Sequence, residues 1–238
     1  MIGLGTIINT AAIILGGLMG LLFGKMIHPG IRDTLMKGNG VCVLFLGIAG
    51  TLEQMISVQN SRLQSSGSMM MILSISLGAL IGESINLDGR IERFGQWLKH
   101  KSGNAKDRHF VDGFVTASLT VCIGAMAIVG AIQDGLTGNY SILFTKSILD
   151  LIVVCIMTAS MGKGCIFSAI PVALLQGSVT ALAGVLEPVL TDAALSSLSF
   201  VGNILIFCVG VNLVWETARI RVANLLPSIV IAVIWSFF

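Results

Sequence analysis

One carboxylate and one ammonium lie four residues apart inside an otherwise apolar stretch of this chain. Asp150 follows Lys146 within residues 143–161, and a spacing of four places both side chains on one face of a helix, where they can pair. A charged side chain at the centre of a bilayer costs about 2.5–3.5 kcal/mol on insertion scales, so each one is a functional candidate. Two interpretations follow: the pair neutralises itself near the membrane boundary, or Asp150 serves a solute or ion.

Neutral amides form the second group of candidate residues. Asn39 and Asn203 each follow a glycine, while Asn9 and Gln176 lie within two other apolar runs. An amide offers donors and acceptors to a polar solute, although hydrogen bonding between helices is the competing role. Together with Asp150, these four are the substrate- or ion-binding residues that we predict, and we expect Asp150, Asn39 and Asn203 to border one solvent-accessible cavity.

Three further polar residues stand at the ends of apolar runs. Gln133 and Asp134 lead into the turn-rich sequence GLTGNY, which could bring both side chains over the outer mouth of a cavity, and a capped helix end explains them equally well. Glu83 ends another run, where it is either an interfacial charge or a proton-coupling carboxylate.

Other kinds of chemistry find little support in the sequence. The five cysteines lie in apolar runs without a C-x-x-C pair, and the three histidines lack the spacing of metal ligands, so we expect no metal site and no cofactor. No histidine lies near a membrane-embedded carboxylate in the sequence, so we expect no enzyme. A net charge of +2 is too small to predict nucleic-acid binding.

The elements that must position the candidates are membrane spans. Hydrophobic residues make up 55% of the chain, charged residues 11%, and the mean hydropathy is +0.93, which predicts an all-α polytopic bundle whose first partner is the lipid bilayer. Cutting the sequence at its charges gives eight spans, at residues 1–24, 38–52, 67–82, 113–133, 143–161, 164–186, 198–214 and 222–238. The sequence leaves a homo-oligomer open.

The basic residues predict the topology of these spans. With eight spans and an outside N-terminus, the inside loops receive Lys25, Arg32, Lys37, Arg90, Arg93, Lys99, Lys101, Lys106, Arg108, Lys163, Arg219 and Arg221. Only Arg62 and Lys146 fall outside. Because Lys and Arg concentrate on the cytoplasmic side, we expect both termini to face outward.

An uncharged stretch between Asp112 and Asp134 organises the chain around its centre. Residues 113–133 read as one helix of 21 residues, or about 31 Å, enough to cross a hydrocarbon core of about 30 Å. Small residues at spacings of three, four or seven let a second helix approach closely. The helix-packing residues that we predict, here and in spans 1 and 6, are Gly124, Ala127, Gly16, Gly20 and Gly177.

The two flanks of this stretch resemble each other. Small residues recur every fourth position in spans 1 and 6, and each span is followed by a Gly-Asn pair and another apolar run. We therefore divide a single membrane domain, 1–238, into a first repeat unit at 1–82, a central hairpin at 113–161 and a second repeat unit at 164–238. The copies are separated by an odd number of spans, so they would cross the membrane in opposite directions, as inverted repeats of secondary transporters do. Alternatively, the resemblance reflects only the small residues that all packed membrane helices share.

A short polar segment connects the third and fourth spans. Residues 88–102 place Ile91, Phe94, Trp97 and Leu98 on one helical face, which predicts an amphipathic helix on the cytoplasmic surface. It either links the two halves or recognises a partner.

Several longer sequence blocks carry a family resemblance. GTIINT at 5–10, GRIERFGQWL at 89–98, the block from Phe114 to Asp150, FSAIPVALLQGS at 167–178 and RVANLLPS at 221–228 resemble the bacterial inner-membrane family that includes the YqgA and YdfK proteins. The resemblance runs end to end. It implies a multi-span bacterial inner-membrane protein, described as a transporter or as of unknown function, and it carries over no substrate and no site residue.

Three function classes are compared on these residues. A secondary transporter of a small polar solute, coupled or not to an ion, fits the few polar groups within the spans and is our prediction. A non-transporting scaffold or sensor subunit is the alternative, and it would depend on the amphipathic helix rather than on the buried amides. A membrane enzyme is the third class and lacks a catalytic constellation.

Overall fold

The computed structural model describes residues 1–26, 28–59, 62–215 and 220–238. Its α-helices are α1 Leu4–Met26, α2 Pro29–Met55, α3 Ser68–Ile85, α4 Leu87–Lys101, α5 Phe110–Cys122, α6 Ala125–Thr137, α7 Ser141–Met161, α8 Ala169–Ala181, α9 Ala183–Leu186, α10 Asp192–Val214 and α11 Pro227–Trp235. Short 3-10 helices, Lys163–Ser168 and Val222–Leu225, precede α8 and α11. Arg219, which we counted in an inside loop, lies outside the described residues.

The prediction of an all-α polytopic bundle is confirmed. Among the described residues, six helices are long and apolar enough to cross a membrane, and a seventh crossing is possible if the bent pair α5 and α6 forms one span. The segment Val222–Trp235 is apolar but shorter. The count of eight spans therefore stays a prediction.

The central stretch differs from the expected single helix. It is divided into α5 and α6, whose axes are bent by 63°, and Gly124 at the break has a φ of +147°. Only glycine adopts such a backbone conformation readily. Because the stretch contains no charge, composition alone does not reveal a backbone turn, and the expectation of one continuous 21-residue helix is corrected.

A small β-hairpin interrupts the helical chain between α2 and α3. Strands β1, Ile56–Gln59, and β2, Arg62–Ser65, pair antiparallel, with Ile56 opposite Ser65. No sequence-based prediction covers this segment. Strand β1 alternates apolar and polar residues, the period that favours a strand over a helix.

The helices form two compact units. The first comprises residues 1–39, 91–122 and 126–188. One of its apolar clusters contains Ile13, Ala117, Val121, Val154, Met157, Cys165, Ala169 and Val172. Within this unit α1 and α7 run parallel, because Gly16, Gly20 and Gly24 face residues Leu151, Cys155 and Ala159 in the same order.

The contact between α1 and α7 is close enough to be made by backbone. A methyl group added at Gly16 would overlap the carbonyl oxygen of Leu151, and one at Gly20 would overlap that of Cys155. Side chains at these positions would force the helices apart, so glycine allows the small-residue packing that membrane helices use in place of a hydrophobic driving force.

The second unit comprises residues 40–90, 123–125 and 189–238. Here α2 and α10 are antiparallel, with Gly47 against Phe207 and Gly210 against Leu44. Helices α3 and α11 are antiparallel too, as Gly78 faces Ser228 and Gly82 faces the residue Asn224. Each unit contains helices from both expected repeat copies, and the inverted repeat stays a prediction.

The amphipathic segment forms helix α4, as its pattern predicts. Gly95 and Leu98 are buried, and Gly95 packs against the ring of Phe114. Phe94 and Trp97 stack with ring centroids 5.7 Å apart and remain 40% and 56% exposed, as aromatic residues at a membrane interface would be.

Candidate functional site

Helix α1 carries one amide that contacts both α7 and α8. The Asn9 Nδ2 group donates to Asp150 Oδ2 at 3.0 Å and to Gln176 Oε1 at 3.3 Å. Asn9 is 0%, Gln176 1% and Asp150 5% exposed. The structure thus brings together three of the five residues that the sequence predicts as a binding site.

A lysine completes this group of side chains. Lys146 Nζ donates to both carboxylate oxygens of Asp150 at 2.8 Å, and the spacing of four within α7 makes the pair local. Both side chains are almost entirely buried. The formal charges cancel, so the cluster formed by Asn9, Lys146, Asp150 and Gln176, which we call the amide–ion cluster, is neutral.

The hydrogen bonds fix the orientation of the two amides. A carboxylate only accepts hydrogen bonds, so Asn9 must present its NH2 group to Asp150. Within the part of the chain that the structure describes, its Oδ1 atom is thereby left without a partner, and so is Gln176 Nε2. An unpaired buried polar atom costs about 1–3 kcal/mol, so the amide–ion cluster retains one acceptor and one donor that a small polar ligand could satisfy.

A second buried carboxylate lies near the start of α1. Asp134 is 0% exposed, and its Oδ2 accepts a hydrogen bond from the backbone nitrogen of Gly5 at 3.0 Å. Its Oδ1 atom has no partner among the residues that the structure describes. Asp134 therefore caps the N-terminal end of α1, which agrees with the alternative of a capped helix end, and the outer mouth of a cavity stays a prediction.

Two threonines extend the polar interface between α1 and α8. Thr6 Oγ1 and Thr180 Oγ1 lie 3.5 Å apart, and both residues are 8% exposed. Sequence reasoning did not select them. The available signal was spacing, because Thr6 precedes Asn9 by three residues and Thr180 follows Gln176 by four, which places each on the face of its amide.

The end of α5 lies close to the amide–ion cluster. Val121, near that end, packs in one apolar cluster with Ile13 and Val154. These two residues follow Asn9 and Asp150 by one helical turn, about 6 Å along each axis. The C-terminal end of a helix leaves backbone carbonyl groups without helical partners, so the end of α5 offers additional acceptors at this depth.

The remaining predicted site residues lie elsewhere. Asn39 is half-buried on α2. Asn203 is half-buried on α10, where it donates to Ser199 Oγ at 3.3 Å and packs against Gly50. Asp150 belongs to the first unit and Asn203 to the second, and the cavity expected to join them stays a prediction.

The predicted packing residues differ in their surroundings. Gly16 and Gly20 face the backbone of α7, and Ala127 is 1% exposed. Gly124 lies in the helix break instead of on a packing face, and a methyl group added there or at Gly177 would meet nothing within 4 Å. Neither glycine is therefore required for a close approach of helices within the structure.

A separate polar cluster joins helix ends in the second unit. Glu83 accepts hydrogen bonds from Arg221 and from the side chain of Asn224, and Asn224 Oδ1 accepts from the backbone nitrogen of Asp88 at 2.7 Å. All of these groups have partners, and Glu83 is well exposed. The arrangement is that of a connection between α3, α4 and the segment before α11.

Comparisons with known proteins extend over nearly the whole chain. The family model described as "Protein of unknown function (DUF554)" matches residues 4–237. The uncharacterized membrane protein YdfK of Bacillus subtilis is 30% identical over 95% of this chain and 93% of its own length. The uncharacterized protein YqgA of Escherichia coli is 27% identical over 96% of this chain and 94% of its own length. No solved structure matches the chain.

Proposed function

The chain belongs to the DUF554 family of membrane proteins, as its sequence blocks indicated, and we propose that it is a secondary transporter of a small, neutral or zwitterionic solute. Solute binding is assigned to Asn9, Asp150 and Gln176, with Lys146 as the countercharge. Transport is coupled to an ion, and no residue is assigned a catalytic role. The partners are the lipid bilayer and the solute.

The observation that carries the proposal is the pair of unpaired amide atoms in the amide–ion cluster. Asn9 Oδ1 is an acceptor suited to an ammonium or hydroxyl group, and Gln176 Nε2 is a donor suited to a carboxylate or hydroxyl group. A ligand with both kinds of group would satisfy both atoms. Because the Lys146–Asp150 pair is already neutral, a solute of zero net charge adds no buried charge.

The buried ion pair also supports a functional role over a purely structural one. Replacing a buried ion pair by apolar residues of similar volume is often neutral or stabilising by about 1–4 kcal/mol. Apolar helix packing would therefore serve stability at least as well as Lys146 and Asp150. Intramembrane charges that face the protein interior commonly mark a solute or ion pathway.

Helix directions support the topology that belongs to this proposal. Because α1 and α7 run parallel, the chain must cross the membrane an odd number of times between them. In the proposed topology, helices α2 and α3 supply two of these crossings, and the bent α5–α6 pair supplies the third as a broken span, a feature of transporter sites. We propose eight crossings, a location in the bacterial inner membrane and both termini outside.

Ligand-dependent thermal stability tests the proposed function. Purified protein is screened against neutral polyols, zwitterionic amino acids and betaines, and singly charged acids and amines, because a ligand stabilises the folded state that binds it. A zwitterionic or neutral solute is expected to raise the Tm of the wild type. Gln176→Leu removes the unpaired donor and should abolish that shift.

Gln133→Leu is the matched control, since it makes the same chemical change at an exposed position of α6. Gln133→Leu should respond to the solute as the wild type does. In liposomes, solute uptake should likewise be retained by Gln133→Leu and lost in Gln176→Leu. If no solute stabilises the wild type, or if Gln176→Leu retains the full shift, the transporter proposal is wrong. The non-transporting scaffold would then be favoured.

A further inference from the structure

Asp134 is a fully buried carboxylate whose only hydrogen-bond donor among the described residues is the Gly5 backbone. An ionised carboxylate is strongly penalised in an apolar environment unless it is paired. Two ammonium groups lie in the region. Lys146 is bound by both oxygens of Asp150, and the α-amino group of Met1 lies beside Gly138, one turn further along from Asp134. No cationic group of the described residues is therefore in contact with the Oδ1 atom of Asp134.

Oxygen atoms of a neighbouring helix approach the same place. Gly135, the residue after Asp134, packs directly against the Thr180 backbone, and Gly5 precedes Thr6 in α1. Helix α8 ends at Ala181, so the negative end of its dipole is at Thr180, where it favours a cation. The contacts of Gly5 with Asp134, of Gly135 with Thr180 and of Thr6 with Thr180 thus bring α1, α6 and α8 together. The meeting segments carry a carboxylate, two hydroxyls and a helix C-terminus.

The separation of the two hydroxyls is long for a hydrogen bond and close to that of two oxygens bound to one cation. Hydroxyl–hydroxyl hydrogen bonds are usually about 2.7–2.8 Å long, whereas the Thr6 and Thr180 oxygens are 3.5 Å apart. A cation of the size of Ca²⁺ or Na⁺, with bonds of about 2.4 Å, holds adjacent octahedral ligands about 3.4 Å apart. Mg²⁺, with bonds of about 2.1 Å, would hold them about 3.0 Å apart.

We infer that Asp134, Thr6 and Thr180 form a binding site for one Na⁺ ion. A single carboxylate balances a monovalent ion and leaves a divalent one with excess buried charge. All of the named ligand atoms are oxygens, as hard cations prefer. The Na⁺ site itself is independent of the proposed function. Only its role, which is to bind the ion to which transport is coupled, rests on that function.

Coupling follows from the position of the Na⁺ site on α1. Thr6 and Asn9 lie on one face of α1, three residues or about 4.5 Å apart along the axis. Thr180 and Gln176 are one turn apart on α8. An ion that holds the ends of α1 and α8 together also fixes the distance between the two amides, so Na⁺ should raise the affinity for the solute, and the solute should raise the affinity for Na⁺ by the same factor.

Cation-dependent unfolding of the purified full-length protein tests the site without any solute. NaCl is titrated against choline chloride at constant ionic strength, with KCl as a second series, and the Tm is followed by tryptophan fluorescence. Na⁺ alone is expected to stabilise the wild type in a saturable manner. Asp134→Asn should abolish the response, and Thr6→Val, which keeps the side-chain shape, should raise the apparent Kd for Na⁺ about tenfold.

Two variants separate this site from the solute site. Asp192→Asn, at an exposed aspartate of α10, and Gln176→Leu should both retain the Na⁺ response of the wild type. The inference is overturned if Na⁺ and choline act alike on the wild type, or if Asp134→Asn responds as the wild type does. A stability that depends on pH through Asp134 but not on Na⁺ would assign the site to a proton and also overturn it. If Asp134→Asn does not fold, the Na⁺ response of Thr6→Val decides: an apparent Kd for Na⁺ equal to that of the wild type overturns the inference.

Discussion

Breaking the Lys146–Asp150 pair from one side should be far more damaging than removing both charges. Lys146→Met leaves the Asp150 carboxylate 5% exposed, with the Asn9 amide at 3.0 Å as its remaining hydrogen-bond donor. Removing one partner of a buried pair typically costs about 3–5 kcal/mol. Lys146→Met with Asp150→Leu removes the uncompensated charge, so we expect the double variant to unfold with a free energy within about 1–2 kcal/mol of the wild type.

The assay is a double-mutant cycle on unfolding in mixed micelles, followed by tryptophan fluorescence. The coupling between the two positions is expected to be about 3 kcal/mol or more, since each single variant is penalised and the double variant is not. A matched cycle on Lys37 and Asp33, a pair at 3.0 Å whose side chains are about half exposed, should give about 0.5 kcal/mol or less. Equal coupling in the two cycles would refute the burial argument, and a stable double variant that still binds solute would remove Asp150 from the site.

Three other predictions concern packing, the helix break and topology. Gly20→Ala should destabilise the protein by about 1–3 kcal/mol because the added methyl overlaps the Cys155 carbonyl. Gly177→Ala, with open space around it, should be neutral or stabilising by up to about 1 kcal/mol. Thermal unfolding compares the two variants directly. Gly124→Ala should cost about 1–3 kcal/mol in the same assay because of its φ of +147°, and a cost no larger than that of Gly177→Ala would refute the strain. A reporter that is active only in the cytoplasm should be silent when fused to Phe238, and a strong signal there would contradict the eight-span topology.

The candidate site could be predicted in part because polar residues are rare in membrane spans. Asn9, Gln176 and Asp150 each interrupt a long apolar run, and the cost of burying them makes them conspicuous in the sequence. Their mutual contact could not be predicted. It depends on α1 packing against both α7 and α8, and nothing in single-span composition says which spans are neighbours.

Asp134 shows where sequence reasoning reaches its limit. A carboxylate at the end of an apolar run next to a turn sequence resembles an ordinary helix terminus, and its burial against Gly5 depends on a contact over more than a hundred residues of sequence. The break at Gly124 was missed for a related reason. Glycine is common in membrane helices because it permits close packing. Its presence at position 124 therefore does not reveal that the backbone there has a positive φ and breaks the helix.

The contact between α1 and α7 restricts how the protein can move. Two helices whose backbones touch at three successive turns move as one rigid unit, because sliding or tilting would push a carbonyl oxygen of one helix into a Cα atom of the other. In the proposed transporter, a route for the solute would therefore not open between α1 and α7. Access to the amides would arise where α8 meets these two helices, on a boundary held by side chains. A covalent cross-link between α1 and α7 should accordingly leave uptake intact, whereas one between α1 and α8 should arrest it.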